Sequence, residues 1–403
     1  MKVINYIKKN GIMKFFHVIY TYKIELFYEK FIHFFTKNMR LKNYIIIESH
    51  NDFDCNGGAF YDYLVKNEYN KKYKIIWLLR KKVNKSLLPY NVDFVFLNKP
   101  SLKKAYYMCM SKYLFFDCDI RKKVRNDQIS VYCSHGSIGL KKVTGKIIIP
   151  DDTNYILTPS VKYQNILAQQ LSLKKDDKRM VSIGYPNHDL LCSLEDYQEI
   201  SKITTNHYKK IFLWMPTFRV GISDNRSDST KIQKLGIPLF NSITDLRDIN
   251  DFLKNNDNLL IIKLHPRQKI DKLITEHFSN IIILTGYDAK KLNIDNYKLL
   301  KNVDALISDY SSIVFDFLQL DKPVAYVFDD IFDYKLGFIV DDVHSLVAGK
   351  EIYNIKDFKD FIKSISNDED LFGEKRKLIR NEVFDYLDNS SCERLIKLVG
   401  IKK

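Results

Sequence analysis

No stretch of this 403-residue chain reaches the ~18 consecutive apolar residues that a membrane-spanning helix needs. A secretory leader is also missing. The first apolar stretch is broken by Lys14, Lys23, Glu25, Glu29 and Lys30, and no small-residue cleavage site follows. These absences predict a chain that stays in the cytoplasm. Paired cysteines are lacking too. Cys55, Cys109, Cys118, Cys133, Cys192 and Cys392 form no CxxC pair and fit no zinc spacing, so free buried thiols in a reducing compartment are expected. There is no 20–50-residue repeat. Helix-turn-helix, zinc-finger and RRM signatures are absent, so nucleic acid is not an expected partner. Acidic residues fall short, with 49 Asp and Glu against 64 Lys and Arg, for a net charge of +15 and a pI near 9.2. A surplus of that size predicts an anionic partner: nucleic acid, an acidic membrane or a phosphorylated substrate. Abundant Lys, Asn, Ile, Tyr and Phe match an AT-rich coding bias, so the charge alone does not choose among them.

What is present suits a folded protein of two domains. The length exceeds one ordinary core, and 45% of the residues are hydrophobic. Residues 1–43 stand apart, with nine basic residues against Glu25 and Glu29. Phe15 and Ile19, Phe27 and Phe31, and Phe31 with Phe34 and Phe35 recur at helical spacing. This predicts a basic, aromatic-rich amphipathic helix at an anionic membrane interface, the alternative being a helix packed on its own domain.

From residue 44 apolar strands alternate with helices. Strands are expected at Tyr44–Glu48, Lys74–Leu79, Asp93–Leu97, Tyr113–Phe116 and Ile129–Cys133. The rhythm restarts at Lys210–Met215, Leu259–Leu264, Ile281–Leu284, Ala305–Ile307 and Val324–Val327. Continuous apolar strands separated by helices predict parallel sheets covered on both faces. The expected architecture is α/β: two Rossmann-like doubly wound domains, 44–195 and 196–403, facing across a cleft.

Four stretches carry the chemistry, and each lies where a strand gives way to a loop. After Ala305–Ile307 comes Ser308-Asp309-Tyr310-Ser311-Ser312 and then a helix. Backbone N–H groups and serine hydroxyls there suit an anion, although Asp309 or Ser311 also suits a plain helix cap. A second strand runs into Lys263, His265, Pro266 and Arg267, at the sheet edge where open α/β folds bind ligands. Ser134-His135-Gly136-Ser137 precedes Leu140-Lys141-Lys142 in the first half. Its histidine has the pKa class of a general base, and its glycines allow close approach. Met215-Pro216-Thr217-Phe218-Arg219 follows the first strand of the second half. Asp117-Cys118-Asp119 matches a short metal-binding pattern, but it is common and lies away from these stretches.

Together these stretches resemble the CDP-glycerol glycerophosphotransferase family of teichoic acid primases and polymerases, with relatives in capsule synthesis. The D-Y-S-S-x-x-x-D-F block is Asp309 to Ser312 with Asp316 and Phe317, continuing into Lys322-Pro323 and Asp329-Asp330. The K-x-H-P block is Lys263, His265 and Pro266, and the P-T-F-R block is Pro216 to Arg219. The family's W-H-G-T block appears as Ser134 to Ser137, and Gly184-Tyr185-Pro186 with Asp189 fits its G-x-P-x-x-D segment. The chain departs at Ser134 for Trp, at Ser137-Ile138-Gly139 for Thr-Pro, and at Asn187 for Arg.

The resemblance implies a GT-B-like fold with the nucleotide donor on the C-terminal domain. It implies attack by an acceptor hydroxyl on the distal phosphorus of a CDP-polyol, releasing CMP. By that analogy His135 is the base and His265, with Ser311 and Ser312, holds the pyrophosphate. Asp309, Asp316, Thr217, Arg219 and Arg267 are further donor-side residues, and Gly136, Ser137 and Lys141 lie on the acceptor side. No metal or other cofactor is required by any ligand cluster, while Mg²⁺ would suit a pyrophosphate leaving group. The implied partners are a CDP-polyol, a lipid-linked or polymer acceptor, and an anionic membrane at the cytoplasmic face of the bacterial plasma membrane. A nucleotide-sugar glycosyltransferase and a non-catalytic basic binding protein are the rival readings.

Overall fold

Thirteen strands among the described residues form two separate sheets, and every strand pairing in both is parallel. The computed structural model describes residues 7, 11–134, 136, 138–142, 145, 147–219, 227–231, 233–265, 268 and 276–403. His135, Ser137, Pro266 and Arg267 therefore lie outside the described residues.

Helix α1 spans Ile12–Thr36. The first domain then runs β1 (Lys42–Glu48), α2 (Cys55–Lys66), β2 (Lys74–Leu79), β3 (Val92–Phe96), α3 (Leu102–Met110), β4 (Ser111–Phe116) and β5 (Ile129–Tyr132). It continues with β6 (Tyr155–Thr158), α4 (Gln164–Gln170), β7 (Met180–Ser182) and α5 (Pro186–Cys192). Its sheet has the order β3-β2-β1-β4-β5-β6-β7.

The second domain runs β8 (Lys210–Trp214), α6 (Ile243–Asn255), β9 (Asn258–Lys263), β10 (Ile281–Leu284), α7 (Gly286–Lys291), α8 (Asn296–Lys301) and β11 (Ala305–Ser308). Next come α9 (Ile313–Leu318), β12 (Val324–Val327), β13 (Lys350–Ile352), α10 (Ile355–Ser366), α11 (Gly373–Val383) and α12 (Ser391–Val399). The second sheet has the order β10-β9-β8-β11-β12-β13. In each sheet the strand order reverses beside the first strand, between β1 and β4 and between β8 and β11. Loops leaving the carboxyl ends there diverge to opposite faces and leave a crevice.

The strands are β-branched and aromatic, and their side chains alternate between two buried faces. Ile45, Ile47, Ile75 and Trp77 enter one core of the first domain, and Ile46, Ile76 and Leu78 enter the other. Caps set several helix starts. Ser242 and Asp245 form a capping box on α6, as Thr285 and Asp288 do on α7.

Every strand expected from the sequence is present within one or two residues of its predicted ends. Two expectations are corrected. The second domain does not keep the whole of 196–403, because Cys392, Leu395, Ile396 and Val399 of α12 pack in the first-domain core with Phe60 and Trp77. Asp189 anchors this return by accepting the Ser391 and Cys392 N–H groups at 2.8 Å each, filling the open end of α12.

Helix α1 is the second correction. It packs against α3. Its acidic residues point inward, where Glu25 meets Lys104 at 2.5 Å and also pairs with Arg121. Phe27 (63% exposed) and Phe34 (66% exposed) point outward together with Lys23, Lys30 and Lys37. Aromatic and basic residues thus share one outer surface, rather than lying on opposite faces. Inward carboxylates paired with two fixed cations leave that surface basic.

Gly349 packs under the backbone of β12. A Cβ there would stand 1.8 Å from the Val324 carbonyl oxygen. Gly349→Ala should cost about 1–3 kcal/mol or more by overpacking, read as an earlier midpoint in urea. An unchanged midpoint would contradict this contact.

Candidate functional site

The loops leaving β8, β11 and β12 at their carboxyl ends meet around one buried guanidinium. Arg219 is 1% exposed. It donates to Asp330 through Nε (2.7 Å) and Nη2 (3.0 Å), and through Nη1 to Asp309 Oδ2 (2.8 Å) and to the Thr217 carbonyl (3.0 Å). The two bonds to Asp330 form a bidentate fork. Asp309 also accepts from the Thr217 N–H at 3.0 Å and hydroxyl at 2.9 Å. Tyr310 donates to Asp330 at 2.9 Å, and the guanidinium carbon lies 5.0 Å from the Tyr310 ring centre and 5.4 Å from that of Tyr334. Burial works against the charge on Arg219, but Asp309 and Asp330 hold its pKa above the ordinary value. Burial works against Asp330 as well, and the Arg219 bonds bring its pKa below the usual carboxylate range.

Arg219, Asp309 and Thr217, expected on the donor side, are bonded to one another and to Asp330. They form a buried cluster beneath the Asp309–Ser312 turn. Ser311 and Ser312 are only half-buried at the surface of that turn. Asp316, on α9 behind them, is fully buried. It bonds His188 Nε2 at 2.8 Å through Oδ1 and accepts from Tyr297 Oη at 3.0 Å through Oδ2. Both of its oxygens are bonded within the protein, one of them to the first domain.

The first domain reaches this turn directly. A Cβ on Gly136 would come within 2.8 Å of Ser312 Oγ, and one on Gly139 within 3.0 Å of the Ser312 nitrogen. Beyond them Lys141 bridges antiparallel to Phe338. The Lys142 N–H donates to the Gly337 carbonyl, and the Ile339 N–H to the Leu140 carbonyl, at 2.9 Å each. Ile138 and Leu140 join the second-domain core with Tyr310 and Val314. The loop after β5 is thereby stitched onto the turn after β11, and only glycine fits at the tightest points.

His265 lies two residues beyond β9, half-buried, with its ring 4.9 Å from that of Phe218. The Gln268 N–H donates to the His265 carbonyl at 2.8 Å, while Gln268 Oε1 accepts the Arg219 N–H at 2.9 Å. The K-x-H-P and P-T-F-R loops are thus tied side to side. Lys263, buried on the same strand, has its pKa lowered by burial, with Asp295 opposing.

Through these contacts the described residues of all four stretches singled out in the sequence join into one cluster. The D-x-D pattern does not. Asp117 is buried and accepts the Gly57 N–H at 2.8 Å, and Asp119 pairs with Arg80 at 2.5 Å. Among the described residues no group of three His, Cys, Asp or Glu is arranged to hold a metal. No described helix is long and apolar enough to cross a membrane. Sequence reasoning passed over Asn56, His188, Tyr297 and Gln268. None has a spacing signal, since each works through partners 19 to 131 positions away.

Residues 29–400 match the family profile of CDP-Glycerol:Poly(glycerophosphate) glycerophosphotransferase. The chain is 28% identical to the teichoic acid poly(glycerol phosphate) polymerase of Bacillus spizizenii, over 73% of this chain and 76% of that protein. It is 25% identical to the teichoic acid glycerol-phosphate primase of Bacillus subtilis, over 86% of this chain and 89% of that protein. Its fold matches that of the wall teichoic acid polymerase TagF soaked with CDPG, with a TM-score of 0.67 at 18% identity over 98% of this chain and 97% of that one.

Replacing Arg219 by Ala would leave two carboxylates buried and unpaired. Unfolding free energy should fall by about 3–5 kcal/mol. The depressed pKa of Asp330 sets the sign of the pH dependence. Its contribution is complete above the unfolded-state value of about 3.9 and is lost as pH falls through the lower native value. Urea unfolding of the wild type should therefore weaken from about pH 4 downward, and Arg219→Ala should remove that stabilising dependence. An Arg219→Ala variant as stable as wild type would contradict the cluster.

Proposed function

The chain belongs to the CDP-Glycerol:Poly(glycerophosphate) glycerophosphotransferase family, a family of transferases, and we propose that it moves glycerol phosphate from CDP-glycerol onto a hydroxyl of a lipid-linked or polymeric cell-surface acceptor. The observation that carries this reading is the seam where Gly136 and Gly139 lie against Ser312. There the stretch that holds the candidate base His135 meets the turn that offers two serine hydroxyls.

The step is a displacement at phosphorus. The acceptor oxygen bonds to the distal phosphorus, the pyrophosphate P–O bond breaks, CMP leaves, and the hydroxyl proton passes to His135. Such a reaction depends on positioning and on neutralising phosphate oxygens. His265, Ser311 and Ser312 hold the pyrophosphate, with Arg267 as an added cation. Asp309, Thr217, Arg219 and Asp316 keep the turn in place from behind. Gly136, Ser137 and Lys141 border the acceptor. Mg²⁺ would assist the leaving group if present.

His135→Ala should lower turnover ~10²–10⁴-fold with CDP-glycerol affinity retained. The double variant Ser311→Ala/Ser312→Ala should instead weaken CDP-glycerol binding by calorimetry. Wild-type turnover in the first variant, or unchanged affinity in the second, would overturn these roles.

A lipid-linked acceptor places the enzyme at the cytoplasmic face of the plasma membrane, and the outer surface of α1 supports that location. Phe27, Phe31, Phe34 and Phe35 suit the headgroup boundary, and Lys23, Lys30 and Lys37 suit anionic lipid. The protein should co-sediment with phosphatidylglycerol vesicles more than with phosphatidylcholine vesicles, and Phe27→Ser/Phe34→Ser should weaken that binding. Equal recovery with both vesicle types would remove α1 as the contact.

A further inference from the structure

The backbone just before His135 is held in an unfavourable conformation by one side chain from another element. Ser134 has φ of +64°, a left-handed value that costs a non-glycine residue of order 1–3 kcal/mol. Such a conformation persists only where its surroundings over-determine it. Strand β5 has ended at Tyr132, so the carbonyls of Cys133 and Ser134 have no sheet partner.

Asn56, in the first turn of α2, supplies that partner. It is fully buried. Its Nδ2 donates to the Cys133 carbonyl at 3.0 Å and to the Ser134 carbonyl at 2.8 Å. Its Oδ1 accepts the Asn187 N–H at 3.0 Å. The amide therefore uses two donors in one direction and an acceptor in the other. Aspartate has the shape without the donors, and alanine has neither.

The third bond extends the hold across the domain seam. Asn187 lies in α5, and the next residue, His188, bonds Asp316 at 2.8 Å. Asp316 belongs to α9, directly behind Ser312, and a Cβ on Gly136 would stand 3.7 Å from its Oδ2. One end of this hydrogen-bonded path holds the turn before His135, and the other holds the helix that follows Ser312.

We propose that Asn56 is a positioning residue for the transfer reaction, fixing the Cys133–Ser134 backbone that leads into His135. This rests on the base role of His135 proposed above. A merely structural Asn56 would affect stability and leave the catalytic step untouched. A positioning Asn56 acts through His135 and through nothing else in the reaction.

The test measures CMP release from CDP-glycerol, with membrane extract as acceptor source, in Asn56→Asp, Asn56→Ala, His135→Ala and the double variants. Each is assayed below its melting temperature, and the isosteric Asn56→Asp serves if the alanine variant does not fold. Folded Asn56→Asp should lose roughly 10²-fold in kcat with the KM for CDP-glycerol unchanged. Added to His135→Ala, the same substitution should cause no further loss. A wild-type kcat in folded Asn56→Asp beside an impaired His135→Ala overturns the positioning role alone. So does a full additional loss in the double variant. Wild-type turnover in His135→Ala overturns the base role and the inference with it.

Discussion

Arg219 is the residue on which the arrangement of the second domain's crevice depends. Three charged side chains are buried together where the loops after β8, β11 and β12 converge. Taking them out of water costs several kcal/mol each. The cost is offset only because the fork to Asp330, the bond to Asp309 and the flanking Tyr310 and Tyr334 rings meet the guanidinium on all sides. A cluster satisfied in only one geometry holds the three loops in that geometry. Ser311 and Ser312 follow two and three residues after Asp309, so their positions inherit its precision.

The same turn is the landing place of the first domain. The loop after β5 lies on it through two glycines, continues as a short antiparallel contact with 337–339, and adds Ile138 and Leu140 to the second-domain core. In return α12 of the C-terminal region packs into the first-domain core, capped by Asp189. Two exchanges in opposite directions tie the domains together. The chemistry-bearing stretches at the seam are thus fixed to one another by packing, and not only by proximity across a crevice.

Much of this was legible in the sequence. Apolar runs such as KIIWLL and LLIIKL read as buried parallel strands because they are short and rich in β-branched and aromatic residues. Residues placed just after such strands must reach the carboxyl edge. That logic located the four stretches, and the motif resemblance ordered them. What it could not supply was the direction of each side chain. Arg219 reads as a phosphate grip because arginine at a strand end usually faces outward, yet Asp330, 111 residues later, claims it inside. Asn56 and His188 carry no pattern at all, since their partners lie 77 and 128 residues away. Helix α1 shows the converse: its aromatic spacing is helical, but Lys104 and Arg121 draw the acidic residues inward and turn the aromatic residues out.

Transfer of a polyol phosphate from a cytidine-activated donor leaves a nucleotide that identifies the donor. The most direct measurement incubates the purified protein and membrane extract with CDP-glycerol, CDP-ribitol and common nucleotide sugars, and identifies the nucleotide released. CMP is expected, formed from CDP-glycerol in preference to the other donors. UDP or another nucleoside diphosphate released from a sugar donor, with CDP-glycerol left intact, would contradict it.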